Sequence, residues 1–308
     1  MCYYFKINKL LIPALVLVCF TLASCTRESS KISENKNTPE STDKKQEPIV
    51  TKPSTDKSSS EIKEQSTPES AGNNSRSDVK FSQMTFKRTY KGCDENKDDC
   101  TNMQIYYPVI SGSSYDDKVN SMIKDLALHT YPVEGTNFKD FDDLLNQFMK
   151  DFEDFKKEFP DAPGYWYLKD STAIVYNSPE ILSFENISSS YLGGAHGSYN
   201  AAYTNIDMRN GNMLKTKDIF NKGYEKTLNK MIEAQYRKQM NLKPNESLTE
   251  GGLFENKISF NDNFAMTKDG IEFLYNQYEI APYAVGVIEI KLSYKDLDAI
   301  LNKDVVKM

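Results

Sequence analysis

The stretch Tyr191-Leu192-Gly193-Gly194-Ala195-His196-Gly197 holds the residue types in this sequence best suited to chemistry. Its clustered glycines permit positive φ and close backbone approach. A histidine in such a loop can serve as a general base, a ligand or a pH-sensitive contact. The Gly193-Gly194 step can also turn amide N–H groups toward an anion. The plainer alternative is a strand-to-strand turn in which His196 hydrogen-bonds the backbone and fixes the loop, since no acidic or nucleophilic partner stands close by in sequence. A second concentration is Tyr275, Tyr278 and Tyr283, with Glu279 and Pro282 between them. Tyrosines bring apolar area with a polar tip, which suits an interface and equally suits a bend between strands. Gly193, Gly194, His196, Tyr278 and Tyr283 are therefore the candidate ligand-binding residues.

Catalytic signatures do not accompany them. His129 and His196 are the 2 histidines of the chain, which excludes multi-histidine metal sites. There is no His-Glu-x-x-His helix, P-loop, dinucleotide-binding glycine motif or Gly-x-Ser-x-Gly elbow. Paired carboxylates stay open on composition alone. Asp140, Asp142, Asp143, Asp151, Glu153 and Asp154 share a helix with an apolar seam and read as its solvated face. No catalytic, cofactor-binding or metal-ligating residue is expected. An envelope hydrolase or deacetylase using the loop at His196 is the alternative.

The cysteines point to export. Lys6 and Lys9 precede an apolar run from Leu10 to Phe20, followed by Leu22-Ala23-Ser24-Cys25. That is the charged, apolar, small-residue order of a secretory signal peptide, ending in the bacterial lipobox, in which the cysteine is acylated. Cys25 is thus the expected lipidation site, and several acyl chains supply stable membrane anchoring. Thr26 follows, rather than the aspartate that favours inner-membrane retention. The expected location is the cell envelope, facing periplasm or exterior, with the outer membrane or surface favoured. Cys93 and Cys100 remain as an even pair in an oxidising compartment, an expected disulfide at a hairpin tip between strands at Thr85–Tyr90 and Gln104–Tyr107. The rival reading, half a zinc site, has no histidine beside it.

Residues 26–78 contain no aromatic residue, and their aliphatics are Ile32, Ile49, Val50, Ile62 and Ala71. Such a segment cannot bury enough apolar surface to offset ordering entropy. It reads as a disordered tether with an r.m.s. span of roughly 40 Å. Residues 79–308 carry 27 Lys/Arg against 34 Asp/Glu. That acidic balance makes nucleic acid a poor partner and suits a basic one.

Helix and strand periods then position the candidates. Asp116 to His129 places Val119, Met122, Ile123 and Leu126 on one helical face. Phe138, Phe141, Leu145, Phe148, Phe152, Phe155 and Phe159 form a second helical seam, expected to pack on the protein's own sheet and closed by Pro160. Alternation over Trp166–Tyr176, Ile181–Leu192 and Ser198–Met208 predicts an antiparallel meander. Thr216 is a candidate N-cap for a short turn, and Tyr224 to Gln239 a helix with Leu228, Met231, Ile232 and Tyr236 inward. Residues 241–262 read as a polar loop. Phe264–Met266, Ile271–Tyr275 and Ala284–Leu292 read as strands, and Ser293 with Asp296 as a cap for a closing helix. The expected class is α+β: antiparallel sheets with packed helices, in two small domains at 79–178 and 179–308, after a signal peptide (1–24) and tether (25–78).

Two of these stretches carry a resemblance. Tyr191 to Gly197, Asp207 to Gly211 and Asp218-Ile219-Phe220, followed by Phe264, Met266, Asp269-Gly270 and Tyr278-Glu279-Ile280-Ala281-Pro282-Tyr283-Ala284 with Gly286, resemble the RsiV-type extracytoplasmic domain of unknown function over about residues 180–303. The strand, Tyr-Tyr-Pro stretch and helix ahead of it are similar to the smaller domain found also in the deacetylase PdaC. The resemblance implies a sensor or accessory module, which in anti-sigma members recognises lysozyme and in deacetylase members precedes a separate catalytic domain. The chain ends at Met308 without that domain, so neither deacetylation nor sigma-factor control is expected to carry over. The expected function is a lipid-anchored, non-catalytic binding or sensor module for an envelope protein or a peptidoglycan fragment, without a cofactor. Lysozyme is the leading named candidate, because an acidic surface speeds encounter with a basic protein.

Overall fold

Strand alternation over residues 80–214 builds a single sheet. The computed structural model describes residues 78–306, apart from 98, 132, 134, 135 and 163. The signal peptide, Cys25 and all but the last residue of the tether lie outside the described residues. Strands β1 (Lys80–Thr89), β2 (Asn102–Ser111), β3 (Tyr167–Asn177), β4 (Ile181–Tyr191), β5 (Ser198–Asp207) and β6 (Asn212–Leu214) form a six-stranded sheet in that order. A second, three-stranded sheet has the order β7 (Phe264–Met266), β8 (Gly270–Tyr275), β9 (Ile288–Ser293). The α+β class is borne out.

One pairing departs from the antiparallel expectation. β2 runs parallel to β3, with Asn102 opposite Tyr167 and Tyr106 opposite Ser171. Helices α1 (Asp116–Leu128) and α2 (Phe141–Glu158) lie between them in sequence and return the chain to the same end of the sheet, as a parallel crossover requires. All other named pairs are antiparallel. The turn at 178–180, where the expected domain boundary falls, joins β3 and β4, neighbouring strands of one sheet.

The helices cover one face of that sheet. Val119, Ile123 and Ala127 of α1 and Phe141, Leu144, Leu145, Phe148 and Phe152 of α2 pack with Met103, Ile105, Tyr107, Leu168, Leu182, Phe184 and Ile206. The Phe seam thus turns inward onto the protein's own sheet, begun by an Asp140 cap that accepts from the Asp143 N–H at 2.9 Å. Its last member, Phe159, lies beyond the helix end and is 49% exposed. Leu126, expected inward, is 39% exposed. The buried stripe of α1 runs through residues four apart, 119, 123 and 127, which leaves Met122 and Leu126 on its flank.

A second core lies under the small sheet. Phe264, Ile271, Phe273, Tyr275, Ile288 and Ile290 pack against Leu228, Ile232 and Tyr236 of α4 (Glu225–Gln239), together with Ile219 of α3 (Thr216–Ile219) and Leu297 of α5 (Tyr294–Leu297). Thr216 is the first residue of α3 rather than its cap, which is Lys215, and its hydroxyl donates to Asp262 at 2.8 Å. Ser293 caps α5 as expected. The segment 241–262 is less open than its polarity suggests. Leu248, Leu253 and Ile258 are buried, and the Tyr236 hydroxyl donates to the Gly251 carbonyl at 2.8 Å. The final strand starts later than alternation implied: Tyr283–Val285 is a 3-10 turn, and Gly286 at φ 82° breaks the chain before β9. Buried Asn205 joins the two sheets, donating to the Phe264 carbonyl at 2.6 Å and accepting from the Met266 N–H at 2.8 Å.

Candidate functional site

The β4–β5 connection carries the glycine-rich loop, so its position is set by two long paired strands with Ser190 opposite Ser198. Gly193 adopts φ 82°, which favours glycine. A Cβ there would fall 3.0 Å from Trp166 Nε1 and 3.2 Å from Phe155 Cζ. The loop therefore rests on the aromatic end of α2 and the start of β3. Gly194, Ala195 and His196 are exposed. His196 Nδ1 lies 2.8 Å from the Gly197 carbonyl oxygen, which can only accept, so Nδ1 donates there.

The tyrosine stretch reaches this loop from the other sheet. His196 and Tyr283 have ring centroids 4.5 Å apart, and Tyr283 lies 5.7 Å from Tyr278. Tyr278 is 59% exposed with a left-handed backbone, φ 64°. Such a conformation in a bulky residue is an outlier and marks a segment held by its surroundings. The holding groups are visible. Glu279 accepts from the Asn276 N–H at 2.9 Å and from Asn261 Nδ2 at 3.0 Å. The Asn276 side chain in turn bonds β5, accepting from the Ala201 N–H at 2.8 Å and donating to the Ala201 carbonyl at 2.9 Å. Asn263 repeats the device, accepting from the Tyr203 N–H at 2.8 Å and donating to the Ala201 carbonyl at 3.0 Å. β6 pairs only with Asn205, Ile206 and Asp207 of β5, so these amides stand where a neighbouring strand would.

Further tyrosines join the same surface. Tyr165 and Tyr191 pair at 5.4 Å. The Tyr167 hydroxyl lies beside Gly197, and its pKa is raised by burial and then by the neighbouring Tyr165 and Tyr283. All five candidate binding residues thus converge on one aromatic patch. Tyr165 and Tyr167 were not singled out in the sequence. Their signal was the aromatic run Tyr165-Trp166-Tyr167 at a strand start. The patch offers ring faces, hydroxyls and one imidazole, suited to stacking and hydrogen bonding.

Tyr275, the remaining member of the tyrosine concentration, is a core residue, its hydroxyl donating to the Ser259 carbonyl at 2.8 Å. Cys93 and Cys100 form a disulfide at the β1–β2 tip, Cα–Cα 5.6 Å. His129 sits apart, at the end of α1, with Nδ1 2.6 Å from the Asp125 carbonyl.

Asp170 is fully buried on the helix face of β3 and accepts from the Thr130 hydroxyl at 2.7 Å and Asn186 Nδ2 at 3.0 Å. Burial pushes its carboxyl up to about 6. Glu185 is raised by burial and then by Glu289 and Glu272. Glu272 and Glu289 share Lys291, at 3.0 and 3.5 Å. Among the described residues, no group of three His, Cys, Asp or Glu side chains could hold a metal ion, and no helix is long and apolar enough to cross a membrane.

Two family profiles match the chain. Residues 94–199 match the family described as deacetylase PdaC, and residues 217–295 match a protein family of unknown function, DUF3298. The order agrees with that expected from the sequence. The His196 loop falls in the first match and Tyr278 and Tyr283 in the second, so the patch takes residues from both. The chain is 24% identical over 209 residues to the peptidoglycan-N-acetylmuramic acid deacetylase PdaC of Bacillus subtilis (strain 168), covering 61% of this chain and 42% of that protein. The chain thus spans less than half the length of this curated relative. Solved DUF3298 structures share the fold: one from Bacteroides fragilis (TM-score 0.58, 24% identity) and one from Pseudomonas aeruginosa PAO1 (TM-score 0.58, 18% identity). Each comparison covers 74% of this chain and 96% of the other.

Proposed function

We propose that this chain is a non-catalytic, cell-envelope binding module, lipid-anchored at Cys25, whose aromatic patch holds peptidoglycan glycan. The observation that carries the reading is the meeting of His196 with Tyr283 and Tyr278, stretches some eighty residues apart in sequence brought to one exposed surface. Sugar rings present C–H faces to aromatic rings and hydroxyls to polar tips, and tyrosine supplies both partners. The similarity to a protein named as acting on peptidoglycan supports that choice of ligand. The hydrogen-bonding partner of His196 within the protein is a backbone carbonyl, an arrangement that orients a ring rather than activating a nucleophile.

Cosedimentation of the full chain with purified peptidoglycan sacculi tests the reading. The wild type pellets with the sacculi, and Tyr283→Ala reduces retention without loss of folding. A chain that stays in the supernatant, or a Tyr283→Ala variant retained like the wild type, refutes the proposal. Release of acetate or soluble fragments from the sacculi, abolished by His196→Ala, would instead establish the enzymatic alternative. A second reading, capture of lysozyme, rests on the acidic balance of residues 79–308, 27 Lys/Arg against 34 Asp/Glu. It requires binding to lysozyme that weakens steeply with salt.

A further inference from the structure

Beneath the glycine turn lies a hydrogen-bond donor with nothing to donate to. Trp166 is 8% exposed, and its Nε1 is the buried side-chain polar atom among the described residues that has no partner. A buried indole N–H left in this way lowers stability, and each such donor in a folded protein calls for a physical reason. The Cα of Gly193 closes off the indole edge, since a side chain there would fall 3.0 Å from Nε1. What holds that cover in place is slight. Among the described residues, positions 192–196 enter no backbone–backbone hydrogen bond. The tip is secured through His196, by its ring against Tyr283 and its Nδ1–H to the Gly197 carbonyl. A segment with few hydrogen bonds and an exposed backbone opens at low cost.

We infer that loop 192–197 is a lid over a recessed subsite in which the Trp166 Nε1–H binds the acetamido carbonyl of an N-acetylated amino sugar. The inference rests on the glycan-binding reading of the patch above it. A sugar that stacks on Tyr283 takes the place of the His196 ring and so releases the lid. The floor then exposed is one N–H donor on an indole packed against the rings of Phe155 and Phe152, centred 4.9 and 5.6 Å from the Trp166 ring. An acetamido group fits that floor, since its oxygen accepts from the indole and its methyl packs on the phenylalanines. A protonated amine, having no acceptor and a charge to desolvate, does not.

Trp166 is the only tryptophan of the chain, so its emission reports on this subsite alone. The full chain is titrated with the tetramer of N-acetylglucosamine and with the de-N-acetylated tetramer, following calorimetric binding, Trp166 emission and acrylamide quenching. The acetylated sugar should bind more tightly and shift both optical signals. Trp166→Phe keeps a ring but removes the donor, and should weaken acetylated-sugar binding about tenfold while leaving the other sugar unchanged. His196→Ala should raise quenching before any sugar is added. Binding with unchanged emission and quenching overturns the lid and leaves the surface reading intact, as do equal affinities for the two sugars. If neither tetramer binds while sacculi still retain the chain, the inference alone falls; if sacculi fail to retain it, both readings fall.

Discussion

Replacing Asn276 by alanine strikes the joint that brings the two halves of the patch together. Its side chain makes two bonds to Ala201, accepting from the N–H at 2.8 Å and donating to the carbonyl at 2.9 Å. Each contributes about 1 kcal/mol net, and the Ala201 N–H, on a fully buried residue, loses its partner at a further cost of about 1–3 kcal/mol. The Ala201 carbonyl keeps its bond from Asn263, so the expected loss is about 2–4 kcal/mol. For a folded region of this size, 1 kcal/mol moves Tm by about 2–4 °C. Asn276→Ala should therefore melt about 5–15 °C below the wild type in a circular-dichroism scan. Because Glu279 ties the Tyr278 segment to the Asn276 N–H, retention on sacculi should fall as well, measured well below the melting range. Tyr283→Ala provides the contrast, losing retention with little change in Tm. An Asn276→Ala protein that melts within about 1 °C of wild type would show that the β5 edge does not depend on these amides.

Four other outcomes are expected. Burial raises Asp170 from 3.8 to about 6, so the folded state binds more protons than the unfolded one between those values, and the contribution to stability is lost as pH rises through that window. The loss is about 2 kcal/mol between pH 4 and pH 7, and Asp170→Asn should remove it, seen as a urea midpoint that gains on the wild type at pH 7 relative to pH 4. The Cys93–Cys100 bridge spans a sequence separation of 7; the Cys93→Ser/Cys100→Ser double variant should lose about 2–3 kcal/mol in denaturant titration. A Cβ on Gly270 would fall 2.1 Å from the Leu292 carbonyl oxygen, so Gly270→Ala should force β8 and β9 apart and destabilise by about 3 kcal/mol or more, read by the same titration. Cys25→Ser should move the chain from the membrane fraction to the soluble fraction of fractionated cells, and an unchanged distribution would remove the lipid anchor from the proposal.

Local pattern carried much of the architecture. Alternation located β3, β4 and β5 to within a residue or two, because a strand's inward face repeats every second position and Leu182, Phe184 and Ile206 all obey it. The Phe seam located α2 for the corresponding helical reason, although a seam does not state where its helix ends, and Phe159 fell outside. The short spacing of Cys93 and Cys100 made their bridge legible. Both halves of the candidate patch were also visible, as a glycine-rich loop and a tyrosine-rich bend. That they form one surface was not visible, nor was the parallel pairing of β2 with β3, the fully buried Asp170, or the unpartnered indole of Trp166. Periodicity records which side of an element is buried and leaves unsaid what buries it. His196 meets Tyr283 across a joint at which Asn263 and Asn276 cap the open edge of β5, and such pairings between distant segments exist once both sheets have closed around their cores.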